Sequence, residues 1–295
     1  MKKECRQCPR DCGADREHTV GYCGVPWSFR VARVALHHWE EPSISGTRGS
    51  GTVFFSGCNL RCVFCQNREV SRASIGREVS EDELIELMLR LEQEGAHNIN
   101  LVTPTPYAEQ LAVLLPRAKE RLSIPIVYNS GGYERVETLR ALEGLVDVYL
   151  PDVKYFDPAL AARYSGANDY FAAACDALEE MLRQTGSPVF DRDGLLLRGT
   201  VVRHLVLPTH RDDSIALLGA LKERFGSDAF LLSLMSQYTP DFARDCPYPN
   251  LHRRVTSFEY DAVCQAADAL GFDGYVQSRE SSRASYTPDF HEVTF

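Results

Sequence analysis

The chain has 295 residues, a formal net charge of −9 and a hydrophobic content of 44%, as expected for a globular protein with a sizeable core. The acidic balance disfavours a nucleic-acid partner, because phosphates would be repelled. The sequence contains neither an apolar run long enough to span a membrane nor the apolar stretch of a secretory signal near its start. We therefore expect a cytoplasmic protein with no membrane partner.

Cysteine is the unusual component. Ten cysteines are present, and seven of them fall within the first 65 residues in two clusters. In a reducing compartment, clustered thiols indicate metal ligands rather than disulfides. Of the three scattered cysteines, Cys175 and Cys264 are predicted to be small buried apolar side chains. Cys246 lies in a Pro-rich loop and is left unassigned.

The first cluster lies in residues 1–45, a segment rich in Cys, Arg and Gly with little helical or strand periodicity. Its cysteines, Cys5, Cys8, Cys12 and Cys23, follow the pattern C-x2-C-x3-C-x10-C, which can close a tetrahedral metal site. A structural zinc or a rubredoxin-like iron is the first interpretation, and a second iron–sulfur cluster is the alternative. The metal would supply folding energy that so small a module lacks.

The stretch HHWEE, which contains His37, His38, Glu40 and Glu41, lies between the two clusters. We interpret it as surface charge and as packing of a linker, and not as a set of metal ligands.

Strands and helices alternate from residue 46 onward. Strands are predicted near residues 52–55, 99–102, 125–129, 146–153, 199–207, 230–235 and 274–277. Helices are predicted near residues 80–94, 107–121, 134–143, 158–184, 213–224 and 256–271. This order indicates βαβ units with a parallel sheet. We predict an α/β fold in which residues 46–295 form a partial (β/α)6 TIM-like barrel behind a Cys-rich metal-binding module at 1–45. The active site of such a barrel lies at the C-terminal ends of its strands.

The second cysteine cluster directly follows the first predicted barrel strand. Cys58, Cys62 and Cys65 are spaced C-x3-C-x2-C. Three thiolates on one loop can bind three irons of a cubane cluster and leave the fourth iron open to another ligand. A structural zinc loop is the alternative, although such sites usually have four protein ligands. The aromatic Phe64 is expected to pack between the cluster and a cofactor bound at the open iron.

These motifs carry a family resemblance. The stretch GSGTVFFSGCNLRCVFCQN resembles the cluster loop of glycyl-radical-enzyme activating enzymes. The whole chain resembles pyruvate formate-lyase activating enzyme-like proteins of the radical S-adenosylmethionine (SAM) superfamily. Other matching stretches are CRQCPRDCG, GYCG, HHWEEPSISGTRGS, NINLVTPTPY, VYNSGGYE, VDVYLPDVKY and LMSQYTP.

The resemblance implies an oxidoreductase with a [4Fe–4S] cluster at Cys58, Cys62 and Cys65. The cluster would reductively cleave SAM to a 5′-deoxyadenosyl radical, which abstracts hydrogen from a substrate. The implied partners are an electron donor such as flavodoxin or ferredoxin and a glycyl radical enzyme. The alternatives are a radical SAM enzyme that modifies a small molecule, a peptide or another protein, and a non-enzymatic metal-binding scaffold.

The resemblance also implies SAM contacts after successive strands. Relatives often carry Gly-Gly-Glu after the second strand, where this chain has TPTP, so Thr103 and Thr105 are candidates by position alone. Asn129 and Ser130 follow the third strand, at the place where activating enzymes contact SAM.

Three charged residues complete the expected site. Asp152 and Lys154 follow the fourth strand as a D-x-K pair, and we favour a role in the site over a surface ion pair. Arg203 lies inside an apolar strand, so it must be paired or point into the barrel mouth, where it could meet the SAM carboxylate. His204 faces the other side of that strand and is expected to be structural. Two polar rim residues, Gln237 and Tyr238, are further candidates for the cavity wall.

Overall fold

The computed structural model describes residues 4–278. The strands are β1 (Arg30–His37), β2 (Ser50–Phe55), β3 (Arg77–Glu78), β4 (Ile99–Val102), β5 (Ile126–Ser130), β6 (Val148–Pro151), β7 (Val189–Phe190), β8 (Leu196–Leu205), β9 (Leu231–Met235) and β10 (Gly274–Val276). The helices are α1 (Pro42–Ser45), α2 (Arg68–Ser71), α3 (Glu81–Gln93), α4 (Ala108–Lys119), α5 (Val136–Arg140), α6 (Pro158–Ser165), α7 (Tyr170–Thr185), α8 (Arg211–Phe225) and α9 (Ser257–Ala269). Short 3-10 helices cover Thr105–Tyr107, Pro240–Ala243 and Pro249–His252.

All these strands except β7 form one path in the order β10-β9-β8-β6-β5-β4-β2-β1-β3. The part of the sheet that runs from β10 to β2 along this path consists of parallel pairs. Strands β1 and β3 are antiparallel at one edge, and β7 pairs with β8 as a hairpin. The sheet is not closed, so the predicted α/β fold with a partial TIM-like barrel is confirmed.

Capping residues fix where two of the helices begin, and both caps are visible in the sequence. The Ser80 side chain accepts a hydrogen bond from the backbone of Glu83 at the start of α3. At the start of α9, Thr256 and Glu259 form a reciprocal capping box. These caps satisfy N–H groups that the first turn of a helix leaves unpaired.

Side-chain alternation divides each barrel strand between two environments. Leu101 and Tyr128 point outward into the main apolar core beneath α3 and α4. Their neighbours on the strands, such as Val127 and Leu150, point inward. Ile44 of α1 joins that inner cluster, so one end of the barrel is filled by apolar side chains.

The structure differs from the expectation in the N-terminal segment, for which little strand periodicity was apparent. Residues 30–37 form β1, which pairs along its length with β2. This strand lies at an antiparallel edge and is only partly buried, so its apolar residues do not form the continuous run seen in the inner strands. The division after residue 45 remains a proposal, since β1 precedes it and belongs to the barrel sheet.

The length and polarity of the helices show whether any of them could cross a membrane. Among the helices within residues 4–278, none combines the length and the low polarity that a bilayer span requires.

Candidate active site

The cysteine loop begins where β2 ends. Gly57 adopts a φ of 88°, in the left-handed region that favours glycine. A Cβ atom at this position would lie 2.7 Å from Val25 Cγ1 and 2.8 Å from the Cys23 carbonyl oxygen. The loop therefore turns away from the sheet and packs directly on the N-terminal segment.

The three thiols of this loop lie in a partly buried environment beside a cavity. Burial, followed by the nearby charge of Cys62, raises the pKa of Cys58 to about 12. Burial also raises the pKa of Cys65. Leu60 N–H donates to Cys58 Sγ at 3.4 Å, and the Ser165 hydroxyl donates to Cys62 Sγ at 2.9 Å. Within the described residues these three sulfurs do not all lie within 4.8 Å of one another. The three thiols lie on one loop and can offer three ligands to an iron–sulfur cluster.

The cavity beside the thiols has a volume of about 420 Å³. The cysteine loop contributes Cys62, Phe64 and Cys65 to its wall. The strands contribute residues at or near their C-terminal ends, namely Val102, Asn129, Asp152, Leu205 and Met235. Gln237 and Tyr238, which follow β9, also line the cavity. This is the end of the barrel where the sequence predicted the chemistry.

Arg203 organises the charged side of the cavity. Its Nε–H donates to Asp152 Oδ1 at 2.9 Å, Nη2 donates to Asn129 Oδ1 at 2.6 Å, and Nη1 donates to Glu40 Oε2 at 3.3 Å. Lys154 Nζ donates to the second Asp152 oxygen. Burial opposes ionisation of Asp152, but Arg203 and Lys154 outweigh it and hold the pKa of this carboxyl below its usual value. The predicted D-x-K pair and Arg203 thus form one buried charged network.

Glu40 is a member of this network that the sequence interpretation missed. Its Oε1 accepts hydrogen bonds from Asn100 at 3.2 Å and from Asn129 at 3.3 Å. Its side chain is only 11% exposed, and Glu41 is 8% exposed. The interpretation of HHWEE as surface charge was therefore wrong for Glu40 and Glu41, although His38 and Trp39 are exposed. The segment after β1 places Glu40 in the cavity wall beside Arg203, and Glu41 is buried next to it.

Phe64 packs among aromatic side chains at the cavity edge. Its ring centroid lies 6.0 Å from that of Tyr238 and within 6.5 Å of the rings of Tyr155 and Tyr164. These contacts hold the third cysteine of the loop against a rigid wall.

Two residues expected by position, Thr103 and Ser130, are not part of the cavity wall as residues 4–278 define it. Thr103 has a φ of 59° and donates its N–H to the Asn129 carbonyl at 2.9 Å. Ser130 Oγ accepts from Gly132 N–H at 3.2 Å. Both residues shape the loops behind the cavity.

A buried carboxylate lies behind those loops. Thr105 donates to Glu134 Oε1 at 2.6 Å, and the Tyr128 hydroxyl donates to Oε2 at 3.3 Å. Burial raises the pKa of Glu134 to about 7, despite these hydrogen bonds. Glu134 is 2% exposed and lies outside the cavity wall.

His204 occupies the opposite face of β8 from Arg203, as predicted. Its ring lies 2.7 Å from the Val153 carbonyl oxygen through Nδ1 and 2.8 Å from Ser214 Oγ through Nε2. The side chain is 1% exposed and joins the sheet to α8.

The N-terminal cysteines surround a tight turn. A Cβ atom on Gly21 would lie 3.4 Å from Cys12 Sγ and 3.5 Å from Cys23 Sγ. Burial raises the pKa of Cys8 to about 12, with a contribution from Cys23 and Cys5. Within the described part of the chain, no three of these sulfurs lie within 4.8 Å of one another. A single tetrahedral ion would therefore have to draw them closer.

Arg16 anchors this segment to the barrel. The residue is 1% exposed, and its guanidinium donates to the carbonyls of Val25 at 3.2 Å, Pro26 at 2.6 Å and Pro106. Pro106 lies in the loop after β4, so the cation bridges the cysteine segment and the barrel.

Comparison with known proteins agrees with this geometry. The family model described as the Radical SAM superfamily matches residues 52–218, which include the cysteine loop. An uncharacterised protein of Methanocaldococcus jannaschii, MJ0674, is 28% identical over 280 residues, covering 92% of this chain and 76% of that protein. MJ0808 of the same organism is 24% identical over 261 residues, covering 82% of this chain and 72% of that protein.

A solved structure shares the fold. The crystal structure of methylornithine synthase (PylB) matches with a TM-score of 0.51 at 16% identity, covering 88% of this chain and 74% of that chain. Together with the family match over more than half of the sequence, the fold and the loop lead to one conclusion. The chain belongs to the radical SAM superfamily, a family that implies a [4Fe–4S] cluster and SAM.

Proposed function

We propose that Cys58, Cys62 and Cys65 hold three irons of a [4Fe–4S] cluster and that the adjoining cavity holds SAM. When bound, these groups supply the one-electron cleavage of SAM to methionine and a 5′-deoxyadenosyl radical, which removes a hydrogen atom from a substrate. The observation that carries the proposal is that Cys62 and Cys65 share one cavity wall with a buried charged network.

The charged network would orient the cofactor. Arg203 still has N–H donors beyond the three that bind Asp152, Asn129 and Glu40. These donors suit a carboxylate such as that of the SAM methionyl group. Asp152 is held ionised by its two cationic neighbours and so offers an acceptor to a ligand hydroxyl or amine. Phe64 and its aromatic neighbours exclude water from the cysteine side.

Two kinds of substrate are candidates for hydrogen abstraction by this radical. A glycyl radical enzyme is supported by the resemblance of the SGCNLRCVFCQN loop to that of activating enzymes. A substrate group that enters the barrel is favoured by a second cavity of about 400 Å³ that shares lining residues with the first. Either reaction needs a low-potential electron donor, for which flavodoxin and ferredoxin are the candidates.

A second metal site is proposed at Cys5, Cys8, Cys12 and Cys23. The four thiols lie on one short segment with the spacing C-x2-C-x3-C-x10-C, which supports the proposal. Zinc or a single iron would be structural. An iron–sulfur cluster would also lie on an electron path to the cysteine loop, because the two segments touch.

Anaerobic reconstitution with iron and sulfide, followed by incubation with SAM and a reductant, tests the proposal. We expect a full cubane cluster on the cysteine loop by metal analysis and release of 5′-deoxyadenosine. A full cluster that yields no 5′-deoxyadenosine would contradict the enzymatic proposal and leave the metal scaffold. If a glycyl radical enzyme is the substrate, its addition should give a glycyl radical signal in electron paramagnetic resonance.

A further inference from the structure

A second cavity continues the first one away from the cysteine loop. It has a volume of about 400 Å³ and extends along β9 and β10 to Glu41, Ser233 and Tyr275. The residues that line both cavities are Trp39, Glu40, Arg203, Met235, Gln237, Gln277 and Ser278. The two spaces therefore adjoin, and we treat them as one chamber with thiols at one end and Glu41 at the other.

Glu41 differs from the other carboxylates of this chamber. Its Oε2 is buried and has no hydrogen-bond partner in the part of the chain that the structure describes. Glu40 and Asp152 are both bonded to Arg203, and each has a further donor. A buried carboxylate oxygen without a donor is costly, so this position is suited to a donor that arrives with a ligand.

The ionisable side chains of the chamber also favour a positively charged ligand. Its carboxylates, Glu40, Glu41 and Asp152, outnumber its cations, Arg203 and Lys154. Burial raises the pKa of Glu41; Arg203 opposes this rise and Glu40 adds to it. A cation placed beside Glu41 would restore its ionisation and balance the charge.

The wall around Glu41 contains aromatic and apolar groups as well as acidic ones, beside polar side chains such as Ser233 and the Arg203 cation. Trp39 and Tyr275 contribute rings, and Met235 contributes a flexible thioether. Aromatic faces and thioethers pack well against an alkyl chain, and aromatic rings also attract cations. An aliphatic amine combines the two properties that this wall accepts.

We propose that Glu41 binds the ammonium group of the substrate, which is an amine carried on a short aliphatic chain. The inference rests on the proposed function, because that function places SAM at the thiol end and leaves the Glu41 end for the substrate. Glu41 acts here as a specificity-determining residue, and the charge-assisted hydrogen bond fixes which substrate carbon faces the thiol end.

Three probes of equal chain length test the charge requirement on the reconstituted enzyme with SAM present. Butylammonium, 1-butanol and butyrate are titrated separately, and binding is followed by ligand-observed NMR. We expect butylammonium to bind more tightly than 1-butanol by about tenfold or more, and butyrate not to bind. The Glu41→Gln variant should bind butylammonium and 1-butanol equally.

Glu134→Gln is the matched control, because it also removes a buried carboxylate but lies outside both cavities. It should keep the preference for butylammonium. Equal binding of butylammonium and 1-butanol to the unchanged protein, or no binding of either, overturns the proposal. So does an unchanged preference in folded Glu41→Gln. If that variant does not fold by thermal unfolding, the comparison of the three probes on the unchanged protein decides.

The readout is separate from SAM cleavage. Butylammonium selectivity without 5′-deoxyadenosine would refute the proposed function and keep the amine site. SAM cleavage without this selectivity would support the proposed function and refute the amine site.

Discussion

Cys58 donates its backbone N–H to the carbonyl oxygen of Cys23 at 3.4 Å. One peptide hydrogen bond therefore joins the last cysteine of the N-terminal cluster to the first cysteine of the loop after β2. A Cβ atom at Gly57 would lie 2.8 Å from the same carbonyl oxygen, so the two segments pack closely here. We therefore expect the two proposed metal sites to be coupled.

This coupling predicts the effect of removing ligands from the first site. The Cys5→Ser/Cys8→Ser variant should lose the metal of the N-terminal site, fall in stability by several kcal/mol, and take up less iron at the second cluster. Metal analysis and chemical denaturation measure these quantities. Cys175→Ser, which alters a buried thiol in α7, is the control for thiol loss and should keep full metal content. Unchanged metal content in the double variant would show that these cysteines are not ligands.

Replacement of Cys62 by Ala should reduce 5′-deoxyadenosine formation to the rate seen without enzyme. The cluster would lose one of its three proposed protein ligands. Chromatography of anaerobic reactions measures the product. Cys264→Ala in α9 should retain the activity, since its thiol lies outside the cavity wall. Product formation by Cys62→Ala would refute the ligand assignment.

Asp152→Asn should destabilise the protein by about 3 kcal/mol, because it leaves Arg203 and Lys154 partly buried without their shared anion. Urea denaturation measures the free energy of unfolding. Asp82→Asn is the comparison, since Asp82 also pairs with an arginine but its side chain is 82% exposed. Its effect should be small. Equal losses in the two variants would contradict a structural role for the charged network.

Gly132→Ala should be far more damaging than Gly194→Ala. Both glycines have a positive φ, 74° and 80°, so both variants incur the strain of a left-handed L-residue, about 1 kcal/mol. Only at Gly132 would the added Cβ also meet backbone, at 2.1 Å from the Asp152 carbonyl oxygen. At Gly194 nothing lies within 4 Å. Thermal unfolding of the pair separates steric contact from backbone strain, and similar melting temperatures would refute the close approach.

Glu134 should make stability depend on pH. Its folded pKa of about 7 lies above that of an unfolded glutamate, so the folded state binds this proton more tightly. Its contribution to the free energy of unfolding is therefore present below about pH 4 and declines by about 3 kcal/mol as the pH rises through 7.

Glu134→Gln removes that contribution, so the variant should gain stability relative to the unchanged protein as the pH rises from 5 to 8. Urea denaturation at several pH values measures the difference. Glu143→Gln, at an exposed position, should show no such gain. A constant difference across this range would contradict the raised pKa.

Local patterns were enough to predict much of this molecule. The cysteine loop and Phe64 are contiguous in sequence, so their spacing alone defines the proposed ligand set. The parallel strands have strong apolar character because both faces are buried, and helix caps such as Ser80 mark the intervening helices. Asn129 and Asp152 were placed at the cavity by their position near the end of a strand, and Arg203 by being a charged residue inside an apolar one.

Long-range placement could not be predicted in the same way. Glu40 meets Asn129 and Arg203 across 89 and 163 residues of sequence. Its burial depends on where the antiparallel β1 ends, and no local pattern reports that. Thr103 shows the converse case: it directly follows β4, but it has a positive φ and does not line the cavity as the described residues define it.

The buried Arg16 has a consequence for engineering. The guanidinium donates to carbonyls in its own segment and to that of Pro106. The N-terminal segment therefore cannot be transferred to another protein without losing a hydrogen-bond partner. A chain shortened to begin after Cys23 would uncover a carbonyl acceptor in the loop after β4. A chimera that carries the segment on another barrel would have to supply an acceptor at the same place, or bury a guanidinium that lacks one of its partners.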